Sequence, residues 1–262
     1  LPEGLSVRQV RDYQRQGYLF PVPVLDGSQA AALRARIEDL AGASGERARL
    51  PGAHFFFRWA YELAVAPALL DKVESILGPD ILLWGTLIFA KAPESRGFVA
   101  WHQDSAYTKF LDGSSALTAW IAATPATREN GCMRVIPGSH GRRLPFSHER
   151  HEDEMANQGH RVTADFDAAT AVAMPLQPGE ASLHEVSLIH GSEPNRSAEP
   201  RIGFIVRYAT PAMRQPPYPV LCARGKPGKI ACADPPRAGN AGAMDAFIRY
   251  LRGAGSAVLA AD

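Results

Sequence analysis

The chain is short of cysteine, of charge of one sign and of long apolar runs, and each shortage excludes something. Its 262 residues include three cysteines, Cys132, Cys222 and Cys232, none of them in a CxxC pair, so no zinc-ribbon or dithiol redox motif is present. A sparse, odd set of thiols suits a reducing compartment, and the expectation is a cytoplasmic protein. Lys and Arg number 28 against 27 Asp and Glu. With the basic residues scattered, there is no electrostatic footprint for nucleic acid or a membrane surface. No stretch approaches the roughly 18 apolar residues of a membrane span, and the opening LPEGLSVRQV lacks the basic and apolar segments of a signal peptide. GxGxxG and GxxxxGK[ST] are also missing, which argues against nucleotide cofactors. A small-molecule partner is the expectation that remains.

At 46% hydrophobic the chain can bury one sizeable core, and a single domain over 1–262 is expected. Its first part, about 1–79, reads as helical with one short strand. Ser6 stands three residues before Gln9 in a capping-box arrangement ahead of VRQVRDYQRQ, and Gly17 stops that helix. YLFPVPVL then reads as a strand, and apolar spacing predicts helices over about 28–40 and 67–77. From Ile81 the pattern becomes short β-like runs, ILLWGTLIFAKA, ALTAWIAAT, MRVIPGS, ASLHEVSLIH and RIGFIVRYAT, divided by Gly, Pro, Asn and Ser turns. No helix of crossover length falls regularly between them, so a sandwich or jelly roll with flanking helices is expected for the core, about 80–210. The polar, His-rich stretch 141–171 reads as a surface excursion or lid. The extension 211–262 is rich in Pro and Gly before a short helix, AMDAFIRYLR.

In FVAWHQDSAY, His102 and Asp104 are two residues apart. Along an extended strand both side chains point to one face. Downstream, SLIHGSEPNRS supplies His190 before a turn. Two histidines and one carboxylate with open coordination positions make up the facial triad of non-haem iron(II) oxygenases. Arg201 follows His190 across GSEPNRSAEP. If SLIH and RIGFIVRY pair as antiparallel strands, the guanidinium returns to the level of His190 and can clamp a carboxylate bidentately. A diacid chelating iron at one end and meeting Arg201 at the other would be 2-oxoglutarate.

These pieces, WHQD, LTAWIAATPATRENGCMRVIPGSH and HGSEPNRSAEPRIGFIVRY, resemble the phytanoyl-CoA dioxygenase family of Fe(II)/2-oxoglutarate oxygenases in order and interval, over roughly Trp84 to Thr210. The resemblance implies a double-stranded β-helix with iron held by His102, Asp104 and His190. It also implies that Arg201 and Ser192 contact the distal carboxylate of 2-oxoglutarate, with Gln103, Trp120 and, as a further candidate, Thr118 in the same pocket. Oxygen and 2-oxoglutarate would be consumed, succinate and carbon dioxide released, and a small organic substrate hydroxylated, plausibly in secondary or amino-acid metabolism. The substrate would be free or tethered to a carrier protein or coenzyme A. Family halogenases replace the metal carboxylate by a small residue; Asp104 is present, which favours hydroxylation. Desaturation, cyclisation and epimerisation share the same cofactors.

His184 competes with His190. If LHEVSLIH is one strand, the two are about 20 Å apart, and His190 is preferred because it has the turn and the arginine. Arg207 is likewise six residues beyond Arg201 and expected to be a surface or structural residue. His140, His148, His151 and His160 read as a solvated loop. Phe55, Phe56, Phe57 and Trp59 suit core and pocket equally, and Tyr107 and Lys109, in the loop after the HxD, are candidate substrate contacts. A non-oxidative metal-dependent isomerase or epimerase on the same fold is the alternative enzyme, and a silent binding module a third reading. Arg201 speaks against the former, and the intact triad together with Arg201 against the latter.

Overall fold

The computed structural model describes residues 4–149, 151–155, 159–239 and 241–257. The two ends of the chain, residue 240 and part of the 141–171 stretch therefore lie outside the described residues. Helix α1 (Val7–Gln16) starts at Ser6 with both halves of the capping box formed and stops at Gly17, whose φ of 82° is left-handed. Chain order continues β1 (Tyr18–Pro23), α2 (Gly27–Ser44), β2 (Arg49–Pro51), α3 (Ala53–Phe56), α4 (Arg58–Ala64), α5 (Pro67–Leu77), β3 (Ile81–Lys91), β4 (Val99–His102) and β5 (Ala116–Ala122). It ends with β6 (Arg134–Val135), β7 (Phe146–His148), β8 (His160–Val162), β9 (Val172–Ala173), β10 (Glu180–Glu185), β11 (His190–Ser192), β12 (Arg201–Ala209), β13 (Leu221–Arg224) and α6 (Ala243–Ala257).

The strands form a large antiparallel sheet in the order β1-β10-β5-β12-β3-β13, with β2 beside β3, and a small antiparallel sheet β4-β11-β6-β9. This is the expected jelly roll, mainly β with helices alongside. The period of two along each central strand sorts its side chains between two compartments. Ile202, Phe204, Val206 and Tyr208 of β12, Leu117, Ala119 and Ile121 of β5, and Ala181 and Leu183 of β10 pack into one apolar cluster. The helix residues Leu33, Ile37, Leu69, Leu70, Val73 and Phe247 complete it. The alternate residues, Arg201, Gly203, Ile205 and Arg207 on β12, Thr118 and Trp120 on β5, and Ser182 and His184 on β10, therefore lie on the sheet's other face. Helix-side burial fixes the register, and a one-residue slip would exchange the two sets.

Several expectations need correction. LHEVSLIH is not one strand: β10 ends at Glu185, and residues 186–189 carry the chain across to β11 in the other sheet. Nor are β11 and β12 partners, since β11 pairs with β4 and β6 while β12 pairs with β3 and β5. The Pro/Gly-rich tail adds a strand, β13, to the edge of β3, a pairing that its composition concealed. Phe55, Phe56, Phe57 and Trp59 pack against the main core, with Phe56 and Phe57 against Phe247 of α6. The described part of 141–171 is no free excursion. It includes the hairpin β7–β8, and Leu144, Val162 and Phe166 pack on Ile136, Ile189 and Trp101.

Candidate metal centre

His102 ends β4 and sits opposite His190 of β11 in the register of the small sheet. Gln103 continues extended, and Asp104 opens a 3-10 turn, Asp104–Tyr107. Ligand atoms of His102, Asp104 and His190 all lie within 4.8 Å of one another, and all three residues are buried. Among the described residues this is the group of His, Cys, Asp and Glu with metal-holding spacing. Both histidines turn Nδ1 toward a backbone carbonyl, His102 to Ala100 and His190 to Leu188, each at 2.9 Å. With the proton held there, each Nε2 keeps its lone pair for a metal. Burial pushes both imidazoles down to about 4, with a neighbouring histidine adding to the shift, so both are neutral at physiological pH. Burial works against the Asp104 carboxylate, yet Arg207 and the surrounding imidazoles hold it well below the usual range.

Arg201 stands on the large sheet, beside Lys91 of β3 in register. It is buried, with its guanidinium carbon 5.3 Å from the Trp120 ring centroid and 5.7 Å from that of Phe89. Nη1 donates to the Gly131 carbonyl, while the buried Nε has no partner. Among the described residues no carboxylate is within ion-pair distance of Arg201. A donor-only cation in this setting suits an incoming carboxylate. Burial lowers Arg201 to about 10, so it stays charged at neutral pH. Gly203 makes the arrangement possible: a Cβ there would lie 2.2 Å from the Trp120 ring. Asn195 organises the preceding turn through bonds to the carbonyls of Ala92 and Glu199, at 2.9 and 2.8 Å.

The phytanoyl-CoA dioxygenase (PhyH) family model matches residues 13–203. The chain belongs to the phytanoyl-CoA dioxygenase family. It is 31% identical over 142 residues to the peroxisomal phytanoyl-CoA dioxygenase of Bos taurus, a match covering 52% of this chain and 42% of that protein. It is 29% identical over 225 residues to the L-proline trans-4-hydroxylase of Streptomyces griseoviridis, covering 75% and 83%. Among solved structures, the apo form of the non-heme monooxygenase ThoJ superposes with a TM-score of 0.79 at 29% identity, covering 92% of this chain and 93% of ThoJ. Its nickel complex gives 0.75 at 27%, covering 92% and 94%. The matched region spans about half the length, or less, of the phytanoyl-CoA dioxygenases themselves.

Within this family member the remaining candidates divide. Thr118 donates to Asp104 Oδ2 at 3.0 Å, and the Tyr107 hydroxyl donates to Asp104 Oδ1; both hold the carboxylate of the triad. Trp120 lies under Arg201, and Ser192 is buried on β11, its carbonyl accepting from Lys91 Nζ at 3.3 Å. Gln103, which the family resemblance assigned to the 2-oxoglutarate pocket, is committed elsewhere. Its amide donates to the Ser187 and Arg142 carbonyls and accepts from the Leu144 N–H at 2.8 Å. The cause is strand alternation, which turns Gln103 away from His102 and Asp104. Lys109 is exposed, and its backbone carbonyl accepts from Arg214.

One residue that strand length had set at a distance comes close. The His184 ring is 4.8 Å from that of His190, because the intervening crossover folds the chain back; His184 nevertheless stands outside the three-ligand group. Arg207, expected as a surface or structural residue too far along the strand to share the Arg201 clamp, has a side chain 17% exposed and places Nη2 3.9 Å from Asp104 Oδ1. It shares a row with Gly85, Thr118 and His184 across the sheet. Two signals in the sequence pointed there: an even interval from Arg201, hence the same face, and a charge inside an apolar strand. Lys91, fully buried behind Arg201 and lowered to about 6 chiefly by burial, was missed because it closes a strand like any edge lysine. His160 is buried with its ring 5.4 Å from that of Tyr107, so the hairpin reaches the site, whereas His148 is exposed and His140 bonds to the Gln14 carbonyl.

Proposed function

We propose that this chain is an Fe(II)- and 2-oxoglutarate-dependent oxygenase, one catalytic domain that hydroxylates a small organic substrate and releases succinate and carbon dioxide. His102, Asp104 and His190 hold the iron, and Arg201 receives the distal carboxylate of 2-oxoglutarate, with Trp120 and Ser192 beside it. One observation carries the reading. Two buried imidazoles with free Nε2 atoms and a buried carboxylate converge on one point, while a buried arginine without a carboxylate partner stands on the facing sheet. The named relatives, a proline hydroxylase and a non-heme monooxygenase, support the same reaction class.

When bound, iron and 2-oxoglutarate supply the oxidising chemistry. The chain supplies the rest. The Ala100 and Leu188 carbonyls hold the Nδ1 protons of His102 and His190, so both rings stay in one tautomer and one orientation. Thr118 and Tyr107 fix Asp104, leaving its Oδ1 toward His102, whose Nε2 is 3.8 Å away. Trp120 and Phe89 lie beside the buried Arg201 guanidinium, where a charge-assisted bond to a carboxylate gains strength from the excluded water. Asp104 fills the position that a halide would need, which favours hydroxylation over halogenation. We place the protein in the cytoplasm and its substrate among free or carrier-tethered small molecules.

The test is an anaerobic titration of apo-protein with Fe(II) and 2-oxoglutarate, following the visible charge-transfer band of the chelate. A band in the parent protein that vanishes in His190→Ala and needs far more 2-oxoglutarate in Arg201→Gln is the expected result. Metal binding without a band at any 2-oxoglutarate concentration would overturn the reading in favour of a non-oxidative metalloenzyme.

A further inference from the structure

Arg207 is a mostly buried cation, its side chain 17% exposed, whose nearest carboxylate is already assigned. Asp104 Oδ1, at 3.9 Å, is beyond hydrogen-bond reach and is the oxygen facing His102. Among the described residues Asp104 is also the only carboxylate within ion-pair distance of Arg207. Once a divalent cation engages Asp104, the guanidinium loses its counter-charge while remaining mostly shielded from water. The guanidinium also bonds the Tyr107 side chain, yet two N–H groups here lack acceptors. Arg207 Nε is buried and unpartnered, and so is Nε1 of Trp84, a residue 5% exposed whose ring centroid is 5.4 Å from the Arg207 guanidinium carbon. Native proteins rarely leave several buried N–H groups orphaned in one place, and donors alone call for an acceptor.

The charge balance at the site narrows that acceptor. A divalent metal with Asp104 and one carboxylate of 2-oxoglutarate is neutral, and Arg201 is neutralised by the other carboxylate. One positive charge, on Arg207, remains unanswered. Arg49 lies close enough to influence Arg207, but Glu46 and Glu154 are its own neighbours, and it donates to the Met155 carbonyl at 3.0 Å. A single carboxylate matches a lone planar guanidinium in charge and in fork geometry, whereas a phosphate dianion would leave a buried excess of negative charge. Phe110, 5.4 Å from the Trp84 ring, and Tyr218 beyond it line the Arg207 side with aromatic surface.

We propose that Arg207 and the Trp84 indole N–H bind a carboxylate of the substrate, so that the enzyme acts on small carboxylic acids presented to the metal from the end of β12 opposite Arg201. This rests on the assignment of the metal to Asp104, and the experiment separates the two. Zinc-loaded protein saturated with 2-oxoglutarate is titrated with acetate, and in parallel with inorganic phosphate. Binding is followed by calorimetry and by the guanidinium Nε–H resonance of Arg207, identified through Arg207→Lys. Expected are a saturable shift of that resonance at millimolar acetate and its absence in apo-protein, where Asp104 holds the guanidinium. Acetate affinity should fall at least about tenfold in Arg207→Gln, the loss of one charge-assisted pair, and by a few-fold in Trp84→Phe, which keeps the ring. If zinc does not bind, the metal assignment fails. If zinc binds and acetate leaves the resonance unmoved or binds Arg207→Gln equally well, or if phosphate shifts the resonance at lower concentration than acetate, the carboxylate site is overturned.

Discussion

The two ends of β12 carry the same residue type on the same face and use it differently. At one end Arg201 lies near two aromatic rings, is bonded to a backbone carbonyl, and among the described residues has no carboxylate within ion-pair distance. At the other, Arg207 stacks on one indole and already feels Asp104. Burial acts on both, lowering Arg201, whereas Asp104 and the nearby tyrosines outweigh it and raise Arg207. A buried arginine is thus defined less by its depth than by which acceptor is within reach. On the proposed function Arg201 takes its partner from outside the chain, whereas Arg207 is stabilised by Asp104 until a metal engages that carboxylate.

The largest expected effect removes what both ends share. His190→Ala should weaken metal binding by more than about 100-fold, since even loss of a partner behind a ligand commonly costs 10–100-fold; metal titration under anaerobic conditions measures it. Next, Arg201→Gln should raise the 2-oxoglutarate dissociation constant by roughly 10–100-fold, the worth of one or two charge-assisted bonds, with Arg207→Gln changing it by less than about threefold. Equal losses from the two variants would erase the distinction between the ends. Gly203→Ala tests the Arg201 end alone. With Trp120 2.2 Å from the added Cβ, urea unfolding should show a loss of about 1–3 kcal/mol and weaker 2-oxoglutarate binding, with metal affinity retained.

Proton linkage probes the centre between them. His54, His102, His184 and His190 are buried and lowered to between about 3 and about 4, below their unfolded value of about 6.5. Their neutral forms carry no penalty above that value. As pH falls through the window from about 6.5 to about 4, the unfolded chain takes up protons that the folded chain refuses, so stability declines. Apo-protein should therefore unfold at lower urea at pH 5 than at pH 7, by on the order of 2 kcal/mol or more. A flat profile would mean that these imidazoles are wetter than their burial implies. The smallest effect is expected from Thr118→Val, which removes one bond to Asp104 Oδ2 and should lower metal affinity about tenfold, sharpening the Arg207 end without touching Arg201.

Much of this was legible in the chain because it depends on local rules. The capping box at Ser6, the stop at Gly17 and the apolar periods of α2 and α5 follow from backbone geometry and helix spacing. The triad was legible because HxD on an extended segment, a distant His before a turn and an arginine after it are a constrained pattern. Distance was where the sequence misled. Counting 3.3 Å per residue assumes that the strand continues, and LHEVSLIH does not, so His184 and His190 come within ring contact. The same count separated Arg207 from Arg201 but could say nothing of Asp104, because only the packing of the two sheets decides what lies opposite each end of β12. Gln103 shows the converse: a motif position does not say which way its amide turns.

By itself, then, the sequence determined which side chains share a face, since alternation along a strand is a property of the covalent backbone, and which residue types were available as ligands and clamps. Only the tertiary structure decided who meets whom between the sheets. Arg207 reaches Asp104, Thr118 holds that carboxylate, and Arg201 meets none among the described residues, because those contacts join elements that are distant in the chain and are fixed by how the two sheets pack.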